Sequence, residues 1–185
     1  MINSIVEKAT RIAARAHKDQ IRKGDDTPYI TPYVVHPIMV ALKLQKYGFG
    51  DEVIAAALCH DVLEDTDYPA EELHQELGNE SFRIIKAVTA DDSLPWEEKK
   101  LQYIETVRQG PVGAKAVCVA DKIHNLECIF IAYDVQGDVL WSKFNRGKEQ
   151  KIWFESLVLK MLKETWDHPM IEDYESLLEK EKALK

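Results

Sequence analysis

The chain has 185 residues, of which 45% are hydrophobic and 30% charged, and its formal net charge at pH 7 is −8. This composition is ordinary for a globular protein, and the length suffices for one sizeable core. The acidic balance disfavours sequence-independent binding of nucleic acid, which needs a basic surface to displace counterions from phosphates. It does not exclude a small anionic substrate, because a metal ion or a local basic cluster can dominate a single cleft.

Targeting signals and the pattern of cysteines bear on the cellular compartment of the protein. No apolar run approaches the roughly 20 residues that span a bilayer, and the N-terminal segment lacks the uninterrupted apolar core of a secretory signal. The three cysteines lie inside helical patterns and form no CxxC pair, which is typical of reduced thiols in a core. We therefore expect a cytoplasmic protein with no membrane partner and no nucleic-acid partner.

Apolar residues recur at helical spacing along almost the whole chain, and no alternating strand pattern of useful length occurs. Ser4 and Glu7 fit a capping box at the first helix, and Pro37 suits the first turn of the second. We predict helices, in chain order, over residues 2–16, 36–48, 51–65, 69–78, 79–90, 97–109, 113–135, 148–166 and 169–185. The predicted fold class is therefore all-α, a single compact multi-helix bundle.

The predicted organisation is one main domain over residues 1–165, followed by a C-terminal helix over residues 166–185 that packs on the same domain. Residues 18–35 form a long connection with Gly24, Pro28 and Pro32 as breakers. Structureless connections of this length are often functional.

The stretch HDVLEDT, residues 60–66, places a histidine and three carboxylates at the end of an apolar helix. Burying an unpaired charge is costly, so such groups are normally paired, hydrogen-bonded or bound to a metal. In a continuous helix, His60 and Glu64 share one face, and Asp61 and Asp65 share the neighbouring one. Taken alone, the stretch also fits a solvated acidic helix end, and that interpretation stays open.

Two further helices present residues of the metal-ligand type beside apolar runs. His36 opens the second helix, and Asp121 follows the apolar run of the long helix over residues 113–135. Each alone has an ordinary explanation, as a capping histidine or a hydrogen-bonded aspartate. Combined with His60 and Asp61, however, they form a mixed imidazole and carboxylate set that suits a divalent ion such as Mn²⁺, Fe²⁺ or Zn²⁺.

The motifs VVHP, HDVLEDT and ADKIHN, in that order, resemble the HD-domain metal phosphohydrolases. More narrowly, they resemble the hydrolase domain of the alarmone (RelA/SpoT-type) enzymes and their small stand-alone relatives, over roughly residues 5–160. The segments IRKG, PWEEKKLQYI and WSKFNRGKEQKIWF fit the stand-alone group. The resemblance implies an all-α HD-domain fold in which Glu64 and Asp65 act on the attacking water. It also implies a single Mn²⁺ ion held by His36, His60, Asp61 and Asp121.

The same resemblance implies contacts with substrate. Arg22 would flank or stack on a guanine base, Lys23 would meet phosphate, and Asn125 would contact the ribose. Lys99 or Lys100 would meet a distal phosphate, and the alternative for both lysines is a solvated helix face. This sequence carries a few more residues between Lys23 and the HP motif than the family usually does, an insertion that bears on where Arg22 and Lys23 lie.

The predicted function is Mn²⁺-dependent hydrolysis of the 3′-pyrophosphate of guanosine tetra- or pentaphosphate (ppGpp or pppGpp), which yields GDP or GTP and pyrophosphate. The partner is then a small-molecule nucleotide, and the oligomeric state is left open. One alternative is a phosphohydrolase of another nucleotide, such as a nucleoside monophosphate or a dNTP. Another is a non-catalytic regulatory binding domain, against which the presence of both Glu64 and Asp65 argues.

Overall fold

The computed structural model describes residues 4–22 and 31–185. Its α-helices are α1 (Ile5–Ala16), α2 (Val35–Lys46), α3 (Asp51–Leu58), α4 (Val62–Asp65), α5 (Ala70–Val88), α6 (Trp96–Gln109), α7 (Val112–Gln136), α8 (Gly147–Thr165) and α9 (Pro169–Ala183). A 3₁₀ helix, Gly137–Lys143, joins α7 to α8 and was not predicted. These ranges contain no β-strand, which confirms the all-α prediction. Within them, no helix combines the length and apolar character needed to cross a membrane.

Helix α7 lies at the centre of the bundle and contacts α2, α3, α5, α6, α8 and α9. Its side chains from Ala114 to Ala120 are buried almost without exception, as expected for a helix surrounded by others. Close approach to α5 depends on Gly113, where an added Cβ would lie 2.6 Å from Cδ1 of Ile84. The central position of α7 explains why residues near its middle can take part in a buried site.

Two predicted helix boundaries are seen in the structure. The hydroxyl of Ser4 accepts a hydrogen bond from the backbone N–H of Glu7 (3.2 Å) and so caps α1. Gly78 has a φ of 75° and interrupts α5, so that two helical segments meet where the sequence predicts one helix to end and another to begin. Glycine suits this position because it adopts positive φ without a steric penalty.

The prediction of one continuous helix over residues 51–65 is wrong at three residues. Helix α3 ends at Leu58 and α4 begins at Val62, and the residues between them form a turn. Nδ1 of His60 donates a hydrogen bond to the carbonyl of Ala57 (2.8 Å), which in a continuous helix would accept the backbone N–H of Asp61. The imidazole therefore competes with the helix, and the chain turns at the residues that carry the candidate ligands.

The C-terminal residues 166–185 contribute α9, which packs against α7 and α8. The hydroxyl of Tyr174 donates a hydrogen bond to the carbonyl of Glu155 on α8 (3.1 Å). Lys151 of α8 lies 2.7 Å from the carboxylate of Glu181 on α9. Helix α9 thus shares its buried surface and a buried ion pair with the helices that precede it.

Candidate metal centre and adjoining cavities

Four side chains from separate parts of the chain meet beside α7. His36 comes from the first turn of α2, His60 and Asp61 from the turn between α3 and α4, and Asp121 from α7. Nε2 of His36 lies 3.1 Å from Oδ1 of Asp121 and 3.6 Å from Oδ2 of Asp61. Nε2 of His60 lies 3.1 Å from Oδ2 of Asp61 and 3.8 Å from Oδ1 of Asp121. Two imidazole nitrogens and two carboxylate oxygens therefore enclose one small space, and we call these four residues the His/Asp cluster.

The ring of His60 is oriented in the way that a metal ligand requires. Its Nδ1 donates to the carbonyl of Ala57, which leaves the lone pair on Nε2 directed into the cluster. That Nε2 atom is buried and lies 3.1 Å from Oδ2 of Asp61, in a geometry that does not form a hydrogen bond. Metal-ligating histidines characteristically donate their other ring N–H to a carbonyl in this manner.

His36 is oriented by a second histidine, which the sequence analysis did not single out. Nδ1 of His36 lies 2.7 Å from Nδ1 of His124, one turn beyond Asp121 on α7. Burial, and then the neighbouring His36 and Arg22, lowers the pKa of His124 to about 4. His124 is therefore neutral at pH 7, and its Nδ1 can accept the proton of His36 Nδ1–H, so that Nε2 of His36 keeps its lone pair for the cluster.

The charges of the cluster favour a cation. Burial opposes ionisation of Asp121, but Lys122 and His36 hold the pKa of its carboxyl well below the usual range. Lys122 donates to Oδ2 of Asp121 (2.8 Å), and Asn125 donates to Oδ1 (2.6 Å). Burial would lower the pKa of His60, but the carboxylates of Asp61 and Asp121 outweigh it and raise the pKa to about 9, so they attract positive charge to Nε2, which either a proton or a metal ion can supply. The two carboxylates are thus anionic, and they hold positive charge between them.

The two acidic residues predicted to act on water occupy different surroundings. Glu64 is partly buried, which raises the pKa of its carboxyl, and its Oε2 accepts the backbone N–H of Ala90 (3.0 Å). Asp65 is exposed on the surface of α4, and its Oδ2 accepts the hydroxyl of Tyr33 (3.0 Å). Glu64 faces a cavity beside the His/Asp cluster, whereas Asp65 faces Tyr33.

Tyr33 connects the cluster to Asp65, and sequence reasoning missed this role. Its hydroxyl lies 2.6 Å from Oδ2 of Asp61 and 3.0 Å from Oδ2 of Asp65. Burial, followed by the charge of Asp61, raises the pKa of Tyr33 well above its ordinary value, so the hydroxyl keeps its proton. In the sequence, Tyr33 belongs to a PY dipeptide that directly precedes the VVHP motif.

Two cavities adjoin the cluster. The larger, of about 610 Å³, lies on the His36 side, and its lining includes Arg22, His36, Lys122, Asn125, Phe144 and Phe154. The smaller, of about 90 Å³, lies on the His60 side, and its lining includes His60, Asp61, Glu64, Lys100, Asp121 and Lys122. Lys122 and Phe154 line both cavities, so they form part of the wall between them.

Arg22 and Asn125, which were predicted to contact the base and the ribose, both line the larger cavity. The guanidinium of Arg22 donates a hydrogen bond to the side-chain oxygen of Asn125 and lies 5.7 Å from the ring centre of Tyr33. The backbone N–H of Arg22 donates to the carbonyl of Thr31 (3.1 Å), and that of Tyr33 donates to Gln20 (2.9 Å). These two hydrogen bonds hold residues 20–22 next to residues 31–33. Arg22 therefore lies beside the cluster, although the connection is a few residues longer than the family usually has.

The three predicted lysines have different outcomes. Lys23 lies outside the described residues. Lys99 forms an ion pair with Asp92 and is absent from the lining of both cavities. Lys100 lines the smaller cavity, with its ammonium 4.6 Å from the ring centre of Phe154. Of the two neighbouring lysines that the sequence could not separate, Lys100 is therefore the one directed toward the cluster.

Residues 9–138 of the chain match the family model described as HD domain. The chain belongs to the HD domain family. This fold implies a divalent metal, and single ligand atoms of His36, His60 and Asp121 lie within 4.8 Å of one another, close enough to share one. The resemblance inferred from the motifs is thereby confirmed at the level of the family.

Two relatives of this chain, from mouse and from fruit fly, carry the same protein name. The mouse guanosine-3′,5′-bis(diphosphate) 3′-pyrophosphohydrolase MESH1 is 41% identical over 121 residues, covering 64% of this chain and 66% of the mouse protein. The chain thus spans just under two thirds of that relative's length. The Drosophila melanogaster protein of the same name is 38% identical over 148 residues, covering 79% of this chain and 78% of the fly protein.

A solved structure is similar over nearly the whole chain. It is that of a metazoan ortholog of SpoT that hydrolyzes ppGpp, with a TM-score of 0.78 and 26% sequence identity. The superposition covers 98% of this chain and 97% of the other, so α8 and α9, which follow the HD match, are included in the similarity.

Proposed function

We propose that this protein is a Mn²⁺-dependent hydrolase that removes the 3′-pyrophosphate of guanosine tetra- or pentaphosphate. The observation that carries the proposal is the buried convergence of two imidazole nitrogens and two carboxylate oxygens, 3.1 to 3.8 Å apart, between two cavities. The names of the relatives and the solved ortholog that hydrolyzes ppGpp support the choice of substrate.

The ion would be held by His36, His60, Asp61 and Asp121. Two imidazoles with two carboxylates suit a borderline to hard divalent metal, and Mn²⁺ accepts both ligand types. A bound divalent ion supplies positive charge that polarises a phosphoryl oxygen and lowers the pKa of an adjacent water. The surrounding hydrogen bonds from Tyr33 and Lys122 fix the aspartates in place, as outer partners of metal ligands commonly do.

Glu64 is the residue that we assign as the general base. Burial raises the pKa of its carboxyl, which makes it a stronger proton acceptor than an exposed glutamate. One of its oxygens is fixed by the N–H of Ala90, which leaves the other for water in the smaller cavity. We assign Asp65 a positioning role, because Tyr33 links its carboxylate to Asp61.

The larger cavity suits the nucleoside. Its volume of about 610 Å³ falls within the roughly 300 to 1,000 Å³ of pockets that hold small ligands. Phe144 and Phe154 supply apolar wall, and Arg22 and Asn125 supply polar groups at the side next to the cluster. The planar guanidinium of Arg22 is suited to stacking on a base or flanking it, and Asn125 can meet a ribose hydroxyl.

The test is turnover by the purified Mn²⁺-loaded protein against a panel of ppGpp, pppGpp, dGTP and GMP. We expect GDP from ppGpp, GTP from pppGpp and pyrophosphate from both. Arg22→Ala should raise KM more than it lowers kcat, because a contact with the base is made equally in the ground state and the transition state. Turnover of dGTP or GMP without turnover of ppGpp would assign another nucleotide, and binding of ppGpp without turnover would assign a regulatory domain.

A further inference from the structure

A buried histidine that the proposed mechanism does not use lies behind Asp65. His17 directly follows α1, and it is only 1% exposed. Its Nδ1 atom lies 2.7 Å from Oε1 of Gln20, and the amide nitrogen of Gln20 donates a hydrogen bond to the backbone carbonyl of Asp65 (2.6 Å). Gln20 therefore connects His17 to the end of α4, where Asp65 lies.

The chemistry of these groups fixes the direction of both hydrogen bonds. A backbone carbonyl can only accept, so the amide nitrogen of Gln20 faces Asp65 and its amide oxygen faces His17. That oxygen can also only accept, so Nδ1 of His17 carries a proton. The other ring nitrogen, Nε2, is buried and has no hydrogen-bond partner among the residues that the structure describes. The bond to Gln20 is therefore the polar contact that orients the imidazole of His17.

His17 and Gln20 also contact Tyr33, the other neighbour of Asp65. The ring of His17 packs on the ring of Tyr33, with the ring centroids 4.8 Å apart. The backbone N–H of Tyr33 donates to the carbonyl of Gln20 (2.9 Å). Because the hydroxyl of Tyr33 reaches both Asp61 and Asp65, the same pair of side chains supports the Asp65 backbone and the hydroxyl that contacts its carboxylate.

Asp65 needs such support because of where it lies. Helix α4 has only four residues, and a single helical turn is not stable by itself. Asp65 is also exposed, so its side chain loses rotamer freedom when it is held in one orientation. Groups that act in catalysis are commonly held by the hydrogen bonds of residues behind them, and His17 with Gln20 occupies that position.

We propose that His17 is a positioning residue of the hydrolase, which acts through Gln20 and Tyr33 to hold the Asp65 carboxylate beside the His/Asp cluster. This assignment rests on the proposed function. His17 lines neither the larger nor the smaller cavity, so it contributes to the orientation of other groups and not to substrate binding. Its loss should therefore lower kcat without raising KM and without releasing the metal.

The test uses variants that separate the hydrogen bond of His17 from its ring. His17→Asn keeps an N–H donor close to the position of Nδ1, whereas His17→Phe keeps a ring and removes the donor. Gln20→Leu removes the next link at a partly exposed position, so it tests the same connection if His17→Phe folds poorly. His74→Phe on α5 is the matched control, because His74 also combines a hydrogen bond to a side-chain amide oxygen (Asn79, 2.7 Å) with a ring contact (Phe82).

The first measurement is kcat and KM at saturating Mn²⁺, with metal content and Tm in the same samples, for the nucleotide of the panel that the wild type hydrolyses fastest. We expect His17→Phe and Gln20→Leu to lower kcat by about three- to tenfold, the usual worth of one hydrogen bond, with KM and bound Mn²⁺ unchanged. His17→Asn should restore most of kcat, and His74→Phe should leave kcat unchanged. In the Asp65→Asn background, His17→Phe should cause no further loss, because the two residues act as a unit.

The second measurement does not depend on turnover. Long-range ¹H–¹⁵N NMR spectra show which ring nitrogen of a histidine carries the proton, and Zn²⁺ replaces Mn²⁺ because paramagnetic Mn²⁺ broadens nearby signals. The signals of His17 are identified by their absence in His17→Asn. We expect the proton on Nδ1 in the wild type, and we expect these signals to shift in Gln20→Leu.

Four results would overturn the role of His17: an unchanged kcat in both His17→Phe and Gln20→Leu, an equal fall in His17→Asn and His17→Phe, a further fall in the Asp65→Asn background, or a proton on Nε2 alone. Turnover of a nucleotide other than ppGpp would replace the assigned substrate and leave the role of His17 to the same comparison of variants. A protein that hydrolyses no nucleotide but carries the proton on Nδ1 would refute the proposed function and support the link from His17 to Gln20.

Discussion

Two buried clusters of ionisable side chains, both within the described residues, differ in where their hydrogen-bond partners lie. The first is the His/Asp cluster beside α7. The second joins α8 to α9, where Lys151 lies 2.5 Å from a carboxylate oxygen of Glu155 and 2.7 Å from one of Glu181. Glu155 and Glu181 are only 3% and 0% exposed, so burial disfavours charge in the second cluster as it does in the first.

The second cluster neutralises itself. Its lysine lies between the two glutamates, and burial raises the pKa of Glu155 to about 8, although Lys151 opposes the shift. Glu155 therefore keeps its proton at pH 7, and the side-chain nitrogen of Lys151 lies against both glutamates. Lys151 and Glu155 also form part of the wall of the larger cavity, so exposure to a cavity does not by itself make a binding site.

The residues of the first cluster are hydrogen-bonded mainly to groups outside the cluster. Its members are held from outside by the carbonyl of Ala57 and the side chains of His124, Tyr33, Lys122 and Asn125. The two imidazole nitrogens and two carboxylate oxygens that face inward lie 3.1 to 3.8 Å apart, and a divalent ion would bind all four. A buried polar cluster is thus a candidate metal site when its hydrogen bonds point outward, and a structural link when its members bind one another.

Removal of an inward-facing ligand should have the largest effect. We expect His60→Ala and Asp121→Ala to lose the proposed Mn²⁺ and with it all measurable turnover, because each removes one of the four proposed ligands. The metal also stabilises the native state by mass action, so the rise in Tm on adding Mn²⁺ should disappear. Metal analysis and thermal melts are the measurements, with His74→Ala on α5 as a remote histidine control. An equal metal load in wild type and both variants would remove the His/Asp cluster from consideration.

Glu64 and Asp65 extend the comparison to two neighbouring carboxylates. Glu64→Gln should retain Mn²⁺ and the fold while kcat falls by roughly 10² to 10⁴, the usual worth of a general acid–base group. Asp65→Asn should lower kcat less, because its carboxylate contacts Tyr33 and not the smaller cavity. The measurements are kcat at saturating Mn²⁺ and metal content in the same samples. Near-wild-type kcat in Glu64→Gln would refute the base, and loss of metal there would identify Glu64 as a ligand.

The sequence predicts most of the fold because helical periodicity and glycine breaks are local signals. The start of α1 at Ser4 and the break at Gly78 depend on residues within one turn of the boundary, and both are seen. The turn between α3 and α4 is not predictable in this way. It depends on a side chain, His60, that takes a backbone acceptor from its own helix, and the residue type alone does not reveal that competition.

The residues of the candidate site also differ in whether a local sequence signal predicts them. The residues that the HD-type motifs carry, such as His60 and Asp121, are brought together by the fold. Tyr33 and His124 were missed because their partners, Asp61 and His36, lie 28 and 88 residues away in the sequence. Motifs indicate which residues carry chemistry, whereas their supporting hydrogen bonds become visible only in three dimensions.

The smallest expected effect concerns the second cluster and the pH dependence of stability. The pKa of Glu155 is raised to about 8 in the folded protein, against about 4.3 for a glutamate in the unfolded chain. Between these values the folded state binds more protons than the unfolded state, so the free energy of unfolding falls as the pH rises.

Glu155→Gln removes this titration and keeps the shape of the side chain. We expect wild type to lose about 1 to 3 kcal/mol more than the variant between pH 6 and pH 8. Urea unfolding at the two pH values measures this, with Glu179→Gln, an exposed glutamate on α9, as the control. The bound Mn²⁺ should be the same in all three proteins, because the second cluster holds none. The same pH dependence of the free energy of unfolding in wild type and Glu155→Gln would show that Glu155 does not take up a proton on folding. A loss of Mn²⁺ in Glu155→Gln would show that the two clusters are not independent.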